Sequence, residues 1–120
     1  MPIDLTENSP RPKTLDAAVD ILYSDMNEDE LAYIHENGSL LLHHGFGTAI
    51  RNHWGLWDQS SALHKYFNET FGLSHADDMS GLIIGSLVAK VRNETFDIEG
   101  EVQFYKNHWK QLGIDPLTQR

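Results

Sequence analysis

Leu40 to Trp57, with the sequence LLLHHGFGTAIRNHWGLW, is the stretch from which the fold can be predicted. At 100° per residue, its apolar side chains cover most of the circumference of a helix, and such a helix is buried by its neighbours. We therefore predict a central helix over residues 40–54, capped by Ser39 and followed by an exit turn, with the other helices assembled around it. Gly45 and Gly47 each cost about 1 kcal/mol relative to alanine in a helix, which indicates close backbone packing or, alternatively, a break in the helix there.

Four more segments have the apolar period and the capping residues of helices. In chain order they are Leu15–Asp25 after the cap Thr14, a short helix between the capping box Asn27–Glu30 and Gly38, a helix that ends at Gly72, and residues 76–91. The last of these is apolar around a wide arc, so we expect it to form the inner pair with residues 40–54. Its glycines, Gly81 and Gly85, are four residues apart and would permit close helix contact.

The segment from residue 95 onward fits two structures. Apolar residues on both sides of a Glu-Gly-Glu sequence suit a short β-hairpin near residues 95–105. The alternative is a helix, which we favour because its apolar series is longer, with Ile98, Val102, Tyr105, Trp109 and Leu112 at helical spacing. The sequence thus predicts an all-α, compact single-domain bundle of five or six helices over residues 14–120, after an irregular N-terminal arm over residues 1–13.

The charge of the chain indicates which class of partner it suits. The 120 residues include no cysteine and carry a formal net charge of −9, and the first 36 hold nine acids against two bases. This balance lacks the cationic footprint that DNA, RNA and anionic membranes require. An acidic face can bind a basic protein partner or simply keep the protein soluble, and for the charge by itself solubility is the favoured interpretation. The acidic face expected to bind such a partner consists of Asp16, Asp20, Asp25, Glu28, Asp29 and Glu30.

Two further absences bear on the cellular location. The first residues lack the pattern of a secretory signal, and the longest apolar run, Gly81–Ala89, is much shorter than the roughly 20 residues of a membrane span. Together with the lack of cysteine, this predicts a cytoplasmic protein that does not enter a membrane. The sequence does not define an oligomeric state.

Arg51 is the most informative polar residue of the central stretch. If its flank is buried, the guanidinium needs a carboxylate partner, because an unpaired buried charge is costly. Asp77 and Asp78, at the start of the fifth helix, are the natural candidates, so we predict a structural ion pair between the two inner helices. The alternative is a pocket for a small anionic ligand, on which a tryptophan would stack. The residues of that pocket would be His44, Arg51, Asn52, Trp54 and Trp57.

The remaining histidines and tryptophans give no signature of catalysis. The five histidines between residues 43 and 75 lack the helical spacing of a metal-binding pair, so we expect no metal and no cofactor. Convergence of His44 with Asp77 and Asp78 in three dimensions is left open. Trp57 is expected to fill the core, whereas Trp109 suits the core and a binding surface equally. No catalytic triad, phosphate loop or dinucleotide fingerprint is present, so an enzyme is the least favoured class.

Three groups of residues resemble a family of small, uncharacterised bacterial and phage domains. They are TLD-x-AVD-x-L at Thr14–Leu22, H-x3-G-x3-RN-x-[FW]-x-LW from His43 to Trp57, and H-x-DD-x-S from His75 to Ser80. The resemblance covers about Thr14–Val91 and implies a compact helical domain of unassigned function, for which phage-encoded counter-defence is one permitted setting. The residues themselves favour a non-enzymatic protein-interaction domain, an inhibitor or modulator that acts through the acidic face.

Overall fold

The computed structural model describes residues 11–39, 42 and 45–115. Its six helices are α1 (Leu15–Asp25), α2 (Glu28–Asn37), α3 (Gly45–His53), α4 (Ala62–Phe71), α5 (Ala76–Arg92) and α6 (Ile98–Gln111). All regular structure in the described residues is helical, which confirms the predicted all-α single-domain fold. The β-hairpin considered near residues 95–105 is wrong, because α6 runs through that segment from its cap Asp97, whose side chain accepts from Gly100 N–H.

α5 is the helix around which the molecule is built. It packs against each of the other five helices, and it is buried over Met79–Ile84 and again at Leu87. A helix buried around most of its circumference occupies the middle of a bundle. The sequence-based prediction gave that position to residues 40–54 and is wrong in this respect, since α3 packs mainly on α5.

α3 is also shorter than predicted, because it begins at Gly45 rather than directly after Ser39. Leu42 lies in a turn, where its N–H donates to Ser39 O and its carbonyl accepts from Gly47 N–H. The predicted first turn at residues 40, 41, 43 and 44 lies outside the described residues. Gly47 packs closely on α5, since a Cβ there would lie 3.5 Å from Ile84 Cδ1.

The helix ends follow the local sequence. Thr14 Oγ1 accepts from Ala17 N–H at the start of α1, and Asn27 with Glu30 forms the reciprocal capping box of α2. Gly72 ends α4 in the left-handed conformation, with φ of 70°. These ends are set by contacts within a few residues, so they are readable without the tertiary structure.

α6 and the loop before it cover the face of α5 that carries Gly81 and Gly85. A Cβ at Gly81 would lie 2.5 Å from Tyr105 Oη, and one at Gly85 would lie 2.6 Å from Phe96 Cζ. The glycines therefore admit aromatic side chains close to the helix axis.

Of the predicted N-terminal arm, residues 1–10 lie outside the described residues, while Pro12 is buried and Arg11 is exposed. Within the ranges that the structure describes, no helix has the length and apolar character needed to cross a bilayer.

Candidate functional site

Arg51 lies at the junction of α3 and α5, with 13% of its side chain exposed. Its Nε is 3.2 Å from Asp77 Oδ1, Nη1 donates to Ser80 Oγ at 2.9 Å, and Nη2 donates to Thr48 Oγ1 at 3.0 Å. Ser80 is fully buried, and its hydroxyl donates to the Asp77 carbonyl at 3.0 Å. All three guanidinium nitrogens thus have a protein partner, and the side chain ties α3 to the first turn of α5.

Asp78, the second acid predicted to pair with Arg51, has a different partner. Its Oδ2 accepts from Trp109 Nε1 at 2.7 Å, which anchors α6 to α5. Burial raises the pKa of the Asp78 carboxyl, and the bond from Trp109 opposes that rise because it favours the ionised form. Sequence reasoning missed this contact because the two residues are 31 positions apart and have no local signal in common.

The residues of the alternative ligand pocket differ in their exposure to solvent. Trp54 is 1% exposed, in the core, whereas Trp57 is 56% exposed on the surface. Asn52 is exposed, and the guanidinium of Arg51 is engaged by α3 and α5. His44 lies outside the described residues.

Trp57 belongs to a row of three rings with the partly buried His75 and Trp109. The Trp57 and His75 centroids are 5.5 Å apart in an edge-to-face arrangement, and those of His75 and Trp109 are 5.2 Å apart. His75 Nδ1 also caps α5, because it accepts from Asp77 N–H at 3.0 Å. The predicted core position of Trp57 is wrong, because the turn after α3 buries Leu56 completely and leaves the next side chain outside.

Five of the six acids of the predicted acidic face are exposed. They are Asp16 and Asp20 on α1, Asp25 at its end, and Glu28 and Asp29 in the first turn of α2. Among the described residues, Asp20 alone of the six has an ion-pair partner, Lys90 Nζ at 3.7 Å. Glu30 differs from the rest, since it is 8% exposed and its Oε1 accepts from Asn27 N–H at 2.8 Å. It therefore serves the capping box rather than the surface.

Two tyrosines stand among these carboxylates. Tyr23 on α1 is 37% exposed and Tyr33 on α2 is 43% exposed. Tyr23 borders a groove of about 310 Å³ at the junction of α1, α2 and α5, and Lys90 Nζ lies 5.0 Å from the centre of its ring. The other lining residues are Leu31, Ala32, His35 and Val91. An aromatic and aliphatic groove beside exposed carboxylates is typical of a protein-binding surface.

In the part of the chain that the structure describes, no three His, Asp or Glu side chains are grouped closely enough to hold a metal ion. His75 Nδ1 and Asp77 Oδ2 are 3.8 Å apart. The convergence considered for His44 with two aspartates involves a residue outside the described ranges.

Comparison with known proteins identifies the family. A family described as "Domain of unknown function (DUF6794)" matches residues 11–91. No curated protein and no solved structure matches the chain. The matched range contains Arg51, Asp77 and the acidic face, whereas α6 with Trp109 lies beyond it. Because the match extends over more than half of the chain, the protein belongs to this family of unknown function.

Proposed function

We propose that the protein is a non-enzymatic interaction domain that binds a basic protein partner through the acidic face of α1 and α2. The observation that carries this proposal is the groove beside Tyr23, with a second exposed tyrosine, Tyr33, among five exposed carboxylates. Tyrosine is enriched at the energetic centres of interfaces, and carboxylates around such a centre accelerate the encounter with a basic partner.

The distribution of charge supports the same surface. Of the formal net charge of −9, the first 36 residues contribute nine acids and two bases. The cytoplasm is the compartment we propose, and an inhibitor or modulator of bacterial or phage origin is the role that the composition and the family resemblance suggest. Binding of a small anionic ligand is the weaker alternative, because Arg51 is already engaged and Trp54 is buried.

The experiment is capture of partners from a bacterial lysate by the immobilised chain, with one pair of charge variants. Asp25→Asn/Asp29→Asn removes two exposed charges from the acidic face. Glu69→Gln/Glu99→Gln removes two exposed charges from α4 and α6 and is the matched control. We expect the first variant to lose most of the captured partner, and the control to retain it.

Salt and the tyrosines provide the second comparison. Because exposed charges are screened by salt, capture should fall as the ionic strength rises. Tyr33→Ala should weaken capture and change stability only slightly, since the residue is 43% exposed. Equal capture by the wild-type chain and by Asp25→Asn/Asp29→Asn would reject the acidic face as the binding surface.

A further inference from the structure

We propose that a second groove, between α1 and the junction of α5 with α6, binds an arginine side chain of a protein partner. This inference rests on the proposed function, because it assigns a specific chemistry to one part of the acidic face. The groove encloses about 430 Å³, which is near the lower end of the range for ligand pockets and suits a single long side chain. Its lining residues are Asp16, Val19, Asp20, Ser86, Ala89, Lys90, Glu94, Phe96 and Ile98.

The inner part of this groove is apolar. Val19 is 7% exposed, and Phe96 and Ile98 are both partly buried against the core. Gly85 leaves room for the Phe96 ring, since a Cβ there would lie 2.6 Å from its Cζ. The groove therefore has an aromatic wall along which an aliphatic stem can lie.

The rim of the groove is acidic. Asp16, Asp20 and Glu94 line it, and the side chains of the last two are 69% and 60% exposed. Lys90 is the single base among the lining residues, and its Nζ lies 3.7 Å from Asp20 and 5.0 Å from the centre of the Tyr23 ring. Arg92, outside the lining, places its Nε 4.0 Å from Glu94, so three carboxylates face two cations and Asp16 has no ion-pair partner among the described residues. The excess of carboxylates favours a cation at the mouth and disfavours a phosphate, a nucleotide or a carboxylate ligand.

Ser86 adds a polar group to the inner part. Its Oγ is buried and has no hydrogen-bond partner in the described structure, although the residue itself is only partly buried. Buried hydroxyls are normally paired, so this one leaves an unmet hydrogen bond at the wall of the groove.

Arginine fits this combination better than the other cationic side chain. Its methylenes lie along apolar walls while its charged head remains at the rim. Its planar guanidinium also stacks on aromatic rings and donates to carboxylates in a fork, whereas the lysine ammonium is a strongly hydrated point charge. We therefore assign an arginine of a basic protein segment to the space between Phe96 and the carboxylates of Asp16 and Glu94.

The test is an NMR titration of the isotope-labelled full chain with three blocked amino acids. N-acetyl-arginine amide should give saturable amide shifts at Ser86, Glu94 and Phe96, at millimolar concentrations. N-acetyl-citrulline amide has the same shape without the charge and should give none. N-acetyl-lysine amide should bind at least threefold more weakly than the arginine probe.

Variants locate the site. Asp16→Asn/Glu94→Gln should reduce the affinity for the arginine probe at least fivefold, whereas Asp25→Asn/Asp29→Asn, with the same change in charge, should leave it within twofold. Equal binding of citrulline, equal binding of lysine, or equal weakening by both variants would overturn the proposal. If the arginine probe does not bind but capture of a partner still depends on Asp25 and Asp29, only the assignment of this groove is rejected. Arginine binding without any charge-dependent capture would reject the proposed function instead.

Discussion

Arg51→Ala should lower the free energy of unfolding by about 2 to 3 kcal/mol, if the guanidinium ties α3 to α5. Its ion pair with Asp77 contributes at most about 1 kcal/mol, because the Asp77 side chain is 60% exposed and solvent screens the charge. The bond to the fully buried Ser80 contributes about 1.5 kcal/mol, since its donor is charged. The two lost methylenes add roughly as much again, at about 0.8 kcal/mol each. Release of a desolvated guanidinium offsets about 1 kcal/mol of this total.

Urea unfolding followed by circular dichroism measures this loss directly, and the midpoint of thermal unfolding should fall by about 8 to 12 °C for a chain of this size. Asn52→Ala is the matched control, because it truncates the exposed neighbour on the same helix and should change stability by less than about 0.5 kcal/mol. Asp77→Asn should cost less than Arg51→Ala, since the bond from Arg51 to Ser80 remains. An Arg51→Ala stability within about 0.5 kcal/mol of the wild type would refute the structural role and reopen the ligand alternative.

Three further predictions concern the contacts of α6 with α5. Gly81→Ala should lower the free energy of unfolding in urea by about 1 to 3 kcal/mol, because the new Cβ would lie 2.5 Å from Tyr105 Oη. The second substitution Tyr105→Phe removes that oxygen and should recover most of the loss. Burial raises the pKa of the Tyr105 phenol above its usual range, so the stability that it contributes is present below about pH 10 and is lost at higher pH. An ultraviolet titration should therefore show Tyr105 ionising only as the chain unfolds, and its ionisation while the chain is still folded would contradict this. Burial also raises the pKa of Asp78, so ionisation of this carboxyl opposes folding. Asp78→Asn, which still accepts from Trp109, should raise the free energy of unfolding at pH 7 by less than about 1 kcal/mol and leave it nearly unchanged below pH 3.8. A large loss of stability at pH 7 would contradict this prediction.

Four of the helix ends and the class of fold are determined by the sequence alone. Thr14, Asn27 with Glu30, Gly72 and Asp97 all stand where the structure begins or ends a helix. These signals depend on hydrogen bonds and backbone preferences within three or four residues, so no distant part of the chain alters them. In the segments between these ends, apolar residues recur at helical spacing, and this period predicts a helix with one buried stripe.

The order of burial among the helices was not determined in this way. Residues 40–57 and 76–91 are both rich in apolar side chains, and only packing showed that α5 contacts all the other helices while α3 begins late, at Gly45. From the sequence alone, the glycines of α3 do not distinguish close packing from a helix end, because glycine is used in both.

The site shows the same division. The pairing of Arg51 with Asp77 follows from the cost of an unpaired buried charge, which the sequence already implies. The partner of Asp78 is a tryptophan on α6, and the solvent exposure of Trp57 depends on one turn of the chain after α3. The acidic character of the first 36 residues was likewise readable, but the grooves beside Tyr23 and Phe96 were not. Charge and period are properties of a segment, whereas a groove or a long-range contact exists only after distant segments have packed together.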